Sequence, residues 1–244
     1  MNAVLEIKKT MLFALVACAA LQAGNTILAG EVKIVPRNKE YQDKTYEEWS
    51  AAWWKWALEL PVVSPSGVTH PFIDDPHFDV TEGQQGSVWF LGASFGADRT
   101  VTIPANKALF IGSLNVECST LEAPPFYGGT PEERRSCARS FGDMFIPSTL
   151  YFTINGNPVN ISAFRATSPD FKFNAPTPWI FGDTGGKGRS TADGYYILIK
   201  PLPPGHYDIS FGGQFQGPPT MNMTYHITVL PARGGHDGSD DDQQ

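Results

Sequence analysis

The sequence predicts an all-β protein, an antiparallel β-sandwich of jelly-roll type, with an immunoglobulin-like topology as the alternative. About nine short apolar segments follow one another with turn residues between them. The chain contains 24 glycines and 20 prolines, which suits many turns between short strands. Only two segments have helical periodicity: an N-terminal one rich in tryptophan and a second, shorter one.

The longer helix is predicted over 45–60, TYEEWSAAWWKWALEL, which contains four of the six tryptophans. Thr45 followed by Glu48 forms a capping-box pattern at its start, and Pro61 ends it. The tryptophans recur at the spacing of one helix face, so this face is expected to close one side of a β-sheet core. The alternative is an aromatic platform for a sugar ring or a partner.

Strands are predicted where apolar residues alternate or run together between turn residues. Asn155-Gly156 is the strongest short hairpin signal, so the strand 150–154 is expected to return over 158–166. The polar, glycine-rich segment 182–193 is expected to be an exposed loop. The other predicted strands are 31–36, one starting at residue 87, 100–104, 108–116, 195–200, 206–212 and 221–230.

The N-terminus predicts export. Two lysines precede the short apolar run MLFALVACAAL, which is typical of a secretory signal, so residues 1–30 are predicted to be removed and the protein to be periplasmic or secreted. The alternative is a lipoprotein anchored at Cys18. A single domain is predicted over 31–231, followed by a disordered acidic tail over 232–244. No other segment is expected to span a membrane.

The net charge limits the class of binding partner, and the cysteine content predicts a disulfide. The net charge of −7 argues against nucleic acid, which requires a basic surface. In an oxidising compartment the two cysteines beyond the leader, Cys118 and Cys137, are most simply a disulfide. Cys137 falls in the second helix, predicted from Thr130 to about Gly142, so the bridge would pin this helix to the strand before Cys118.

Polar residues within the aromatic framework are the candidates for a binding site. The long loop 61–86 contains His70 and Asp74, which would line the rim of a pocket between that loop and a sheet face. Their spacing matches no metal motif, so neither a metal nor another cofactor is predicted. The alternative is that these residues fasten the loop to the domain.

Two strand residues complete the predicted site. Asn115 and Glu117 lie two apart on a strand and share a face, and Arg165 from a later strand is expected to pair with Glu117. The alternative is a structural ion pair beside the disulfide. The predicted ligand-binding residues are His70, Asp74, Trp89, Asn115, Glu117 and Arg165.

Five sequence blocks together resemble a group of exported bacterial β-sandwich proteins of unassigned function. The blocks are WxxxWWxW, HPFIDD, GQQGSVWFLGASFG, RTVTIPANKALFIGSLNVEC and PLPPGHYDISFGG, and they cover most of residues 45–230. The resemblance implies export and a β-sandwich with a tryptophan-rich helix. It implies no particular reaction, so no catalytic role is carried over.

For function, the sequence favours an exported non-catalytic module that binds a glycan or another small ligand. No complete catalytic constellation is visible, and the aromatic content is high. The alternative is a secreted carbohydrate-active enzyme, a hydrolase or lyase on a jelly-roll scaffold. A glycosidase needs two carboxylates at a defined separation, and Glu117 has no evident mate in the sequence.

Overall fold

The computed structural model of the chain describes residues 31–65, 67, 69–73, 75, 81–94 and 96–232. The predicted signal peptide, nearly all of the predicted tail and Asp74 lie outside these residues. The elements are α1 (Tyr46–Glu59), β1 (Val88–Leu91), β2 (Asp98–Ile103), β3 (Ala108–Ser119), α2 (Pro131–Gly142), β4 (Tyr151–Ile154), β5 (Asn157–Pro158), β6 (Arg165–Thr167), β7 (Phe171–Ala175), β8 (Gly186–Ile199), β9 (Gly205–Phe215) and β10 (Gly217–Val229).

Two five-stranded sheets face each other, which confirms the predicted all-β sandwich. The inner sheet has the order β1-β3-β8-β6, and β7 also pairs with β8; the outer sheet has the order β2-β10-β9-β4-β5. Most neighbours are antiparallel, but the edge strands β1 and β2 pair in parallel with β3 and β10. The fold therefore has three layers, because α1 covers the second face of the inner sheet.

Two apolar cores hold these layers together. The larger core lies between the sheets, and the second lies between α1 and the inner sheet. The α1 capping box is formed, and the helix directs its tryptophans into the second core as the sequence predicts. Trp53 donates its indole N–H to the Leu91 carbonyl at 3.0 Å, and Trp54 donates to the Tyr196 hydroxyl at 3.0 Å. Both indoles thus bury their rings without leaving a polar group unpaired.

The inner sheet is irregular at the point where Trp53 meets it. The β3–β8 register shifts between Gly112 and Asn115. A Cβ at Gly112 would lie 2.6 Å from the Trp53 ring, so only glycine lets the indole lie this close to the strand. β1 pairs with β3 only as far as Ile111. The edge of β3 past this residue is therefore not covered by β1.

The prediction of an exposed loop over 182–193 is wrong for most of that range. β8 starts at Gly186 and is the central strand of the inner sheet, paired with β3 on one side and with β6 and β7 on the other. A Cβ at Gly188 would collide with the Phe173 ring, and one at Gly194 would collide with β3. The glycines here mark close approach of neighbouring chains inside a sheet and do not mark a loop.

Two further strand predictions are only partly correct. The hairpin at Asn155-Gly156 is present, but its second strand, β5, has two residues. The chain then makes a 3₁₀ turn over Ile161–Phe164 and joins the inner sheet as β6. In the predicted strand 31–36, only Ile34 makes a β-bridge, with Ile199.

The predicted disulfide between Cys118 and Cys137 is confirmed, and their Cα atoms are 6.0 Å apart. It joins the end of β3 to α2, as expected. Phe126, in the connecting segment, stacks on Phe141 of α2 with ring centroids 4.5 Å apart. Neither α1 nor α2, the two helices of the described residues, has the length and apolar character needed to cross a bilayer.

Candidate functional site

An apolar cavity of about 340 Å³ lies beside the irregular part of β3. Its walls come from α1, the loop after α1, β3, the connection from β1 to β2, α2 with its flanking segments, and the ends of β9 and β10. The lining residues are Trp53, Trp54, Phe72, Ala93, Ser94, Ser113, Leu114, Asn115, Val116, Phe126, Phe141, Phe145, Phe181, Phe215 and Met221.

Aromatic rings form most of the cavity wall. The Trp53 and Trp54 indoles use their N–H groups within the protein, so they offer carbon surface to the cavity. Phe72 packs against both, with ring centroids 5.8 and 5.6 Å away, and Phe181 lies 6.3 Å from Phe72. Phe181 is 42% exposed and thus borders the solvent. Such a wall fits a flat or flexible apolar ligand.

Three polar side chains interrupt this wall. Ser94 and Ser113 are each 1% exposed, and neither hydroxyl has a hydrogen-bond partner within the part of the chain that the structure describes. Asn115 makes only a long contact, from Nδ2 to the Ser113 carbonyl at 3.4 Å. A buried hydroxyl without a partner destabilises the fold. The two serines therefore supply hydrogen-bonding capacity that the protein itself leaves unused.

His70 holds the loop that carries Phe72. Its Nδ1 accepts from the Phe72 backbone N–H at 3.1 Å, and its Nε2 lies 2.8 Å from the Ala57 carbonyl of α1. This pattern requires the hydrogen on Nε2. Burial lowers the pKa of His70 to about 4. Both ring nitrogens are engaged within the protein, so the structure gives this residue the fastening role that was the alternative in the sequence.

Arg99 of β2 holds the same loop from the other sheet. Its guanidinium donates to the carbonyls of Pro71 and Ile73, each at 2.9 Å, and to the Tyr225 hydroxyl at 3.2 Å. Arg99 is almost fully buried. Phe72 is thus fixed from α1 and from β2 together, which makes this cavity wall rigid.

The other predicted residues are dispersed. Trp89 is buried in the core between the sheets, and of the five predicted residues that the structure describes only Asn115 lines the cavity. The expected pair of Arg165 with Glu117 is wrong, because Arg165 binds Asp193 and Asp143, each at 2.7 Å. The polar groups of the described lining are two hydroxyls and one amide, while Asp74, expected at the rim with His70, lies outside the described residues.

Glu117 has a carboxyl partner that the sequence did not suggest. It accepts a hydrogen bond from Ser190, while its Oε1 receives no N–H or hydroxyl donor and lies in reach of the Glu122 carboxyl. Burial, together with the Glu122 charge, raises the pKa of Glu117 well above its usual range, and burial raises that of Glu122. These two shifts favour a state in which at least one of the carboxyls is neutral. Neither glutamate lines the apolar cavity.

The described residues contain no recognisable metal-binding site. Among them, no group of three or more His, Cys, Asp or Glu side chains is placed to share a metal ion.

Sequence reasoning missed the aromatic residues contributed by α2 and its flanks, Phe126, Phe141 and Phe145. A signal for them existed, because the disulfide at Cys137 brings α2 to the strand end that carries Asn115. The two serines gave no signal, since their significance depends on burial and on the absence of partners.

Comparison with known proteins adds little. No family model and no curated protein matches the chain. Among solved structures, the solution structure of amebosin matches 60% of this chain and 100% of its own chain, with 14% identity and a TM-score of 0.22. A likeness this weak carries no argument about fold or function.

His70→Gln is expected to lower the free energy of unfolding at pH 7 by about 1–3 kcal/mol, because a buried hydrogen-bonded group is lost. The folded-state pKa of about 4 lies below the usual value near 6.5. The stabilisation by neutral His70 is therefore complete above about pH 6.5 and is lost as the pH falls towards 4. Urea unfolding between pH 7 and pH 4.5 should show the two proteins converging, whereas a constant difference would contradict the assignment. His206→Gln, on the exposed face of β9, is the control.

Glu117→Gln is expected to gain stability relative to wild type as the pH rises. The folded-state pKa of Glu117 is raised, so the protonated carboxyl stabilises the fold at low pH. This stabilisation is lost as the pH rises, because the unfolded chain releases the proton at a lower pH than the folded protein does. The amide keeps the shape and the donor towards Glu122 without needing that proton. Thermal unfolding from pH 4 to pH 8 measures this, and a difference in Tm that does not change with pH would contradict the raised pKa of Glu117.

Proposed function

We propose that the protein is a non-catalytic binding module for a small, largely apolar ligand that carries one hydrogen-bonding group. The observation that carries this proposal is the cavity beside β3, walled by aromatic rings and containing the unpartnered hydroxyls of Ser94 and Ser113. A concave apolar site with few, convergent polar groups is the usual form of a small-molecule site.

The chemistry of the wall specifies the ligand further. Rings from α1, α2 and the Phe72 loop favour stacking and edge contacts with an aromatic or alicyclic body. The serine hydroxyls can each donate and accept, so a hydroxyl, carbonyl or ether group on the ligand suits them. No basic side chain is among the described residues of the cavity wall, and therefore a strongly anionic ligand is not favoured there.

A glycan fits this cavity less well than an apolar ligand. A sugar presents hydroxyls on every side, and burial of each requires a partner, whereas the described lining offers two serines and one asparagine as its polar side chains. The carbohydrate-active enzyme receives no support from this part of the lining, because no carboxylate or imidazole is among its described residues. A hydrolase of that kind would need two carboxyl groups facing the sugar.

Export forms part of the same proposal. The disulfide between Cys118 and Cys137 supports an oxidising compartment, where such bonds persist. An exported binding module of this kind would present its cavity to small molecules outside the cytoplasm.

Val116→Trp is expected to abolish binding of the neutral apolar fluorophore N-phenyl-1-naphthylamine, because the indole would fill the cavity that Val116 lines. The matched control is Val159→Trp, since Val159 is also half-buried against the inter-sheet core but does not line the cavity. Fluorescence titration should give saturable binding to wild type and to the control, with a loss of about tenfold or more in the Val116 variant. Equal affinity of all three proteins would contradict the proposed site.

Ser113→Ala is expected to change stability and affinity in opposite directions. Removal of a buried hydroxyl without a partner should raise the free energy of unfolding by about 1 kcal/mol. The same change should weaken binding of a phenol while leaving N-phenyl-1-naphthylamine almost unaffected.

The control for this variant is Ser168→Ala. Ser168 is fully buried, but its hydroxyl accepts from the Ala192 N–H at 2.9 Å, so its loss should destabilise the fold. If Ser113→Ala destabilises the protein to the same extent, the Ser113 hydroxyl has a structural partner and is not reserved for a ligand.

A further inference from the structure

A second concavity, of about 300 Å³, lies on the other side of the C-terminal part of α2 and is rich in arginine. We call it the basic cleft. Its lining residues are Arg37, Glu47, Arg135, Arg139, Arg165, Thr167 and Asp193. Four guanidinium groups thus face two carboxylates in a protein whose net charge is −7, so the cleft is a local reversal of the overall charge.

Two of the arginines are held in fixed positions. Arg37 donates from Nε to the Arg165 carbonyl at 2.8 Å and pairs with Glu47. Arg165 pairs with the buried Asp193 and with Asp143, each at 2.7 Å. The carboxylates near the cleft are therefore occupied by these two arginines, and the guanidinium planes are oriented before any ligand arrives.

The other two arginines account for the remaining positive charge. Arg135 and Arg139 lie one turn apart on α2, and both are exposed. Neither forms an ion pair among the described residues. Like charges at this spacing destabilise a helix slightly. Helix stability explains the presence of Arg139 in part, since it lies in the last turn of α2, where a cation interacts favourably with the helix dipole. The same explanation does not apply to Arg135, which lies near the middle of the helix.

We propose that the basic cleft is a binding site for a free, doubly charged oxyanion such as phosphate or sulfate. Guanidinium forks bind such oxygens in pairs of charge-assisted hydrogen bonds. The pre-oriented Arg37 and Arg165 form the base of the site, and Arg135 and Arg139 close over the anion from α2. The size of the cleft, and donors from three separate elements, suit a tetrahedral anion better than a single planar carboxylate.

The test uses the arginine Nε–Hε signals of the whole protein in an NMR titration with inorganic phosphate. Wild type should show saturable shifts and a higher Tm in phosphate. Arg135→Gln/Arg139→Gln should weaken binding by about tenfold or more, because charge-assisted hydrogen bonds are the strong ones. Without phosphate the variant should lose little stability, because the like-charge contact that it relieves offsets the lost attraction of Arg139 for Asp193.

The matched control is Lys172→Gln/Lys187→Gln, which removes two exposed positive charges outside the cleft. If this control weakens phosphate binding as much as the arginine variant, the effect is general charge screening and the proposal fails. Absence of saturable shifts in wild type would also overturn it. Co-sedimentation with phosphatidic acid vesicles without any response to inorganic phosphate would show a lipid-binding surface and contradict a site for a free anion.

Discussion

The contact of the Trp53 ring with Gly112 is the constraint on which the rest of the structure depends. It fixes α1 at the place where β3 loses its register with β8, and the Trp53 hydrogen bond to Leu91 fixes the end of β1 as well. β1 then leaves the inner sheet, so the next part of β3 has no β1 partner beside it. The apolar cavity occupies this interruption. One close approach between an indole and a glycine therefore determines where β1 leaves the sheet and where the apolar cavity lies.

The surroundings of the cavity are rigid for separate physical reasons. His70 and Arg99 fix the loop that carries Phe72 through buried hydrogen bonds to α1, β10 and the loop itself. The disulfide at Cys137 fixes α2 from the opposite side. A wall held in this way loses little conformational freedom when a ligand binds, and such preorganisation favours affinity. Of the polar residues chosen from the sequence, His70 thus matters to the cavity through Phe72, whose backbone it holds.

The sequence predicted most of the fold because its strongest signals were local. The capping box at Thr45, the tryptophan spacing and the Asn155-Gly156 turn are each specified by neighbouring residues, and each is present. The first part of β8 was missed, although a strand was predicted over 195–200, because Gly188 and Gly194 serve close packing between strands that are distant in the chain. The site was predicted less well for the same reason. The Glu117–Glu122 pair and the unpartnered Ser94 and Ser113 depend on burial, which no spacing encodes.

The apolar cavity and the basic cleft present two kinds of chemistry on either side of α2. We propose that the cavity receives an apolar ligand, and isotope-filtered NOE spectroscopy with bound N-phenyl-1-naphthylamine is the direct test. NOEs are expected from the probe to the rings of Trp53, Phe72 and Phe141 and to the methyl groups of Val116. NOEs confined to the outer face of the outer sheet, around the exposed Tyr151, would contradict it.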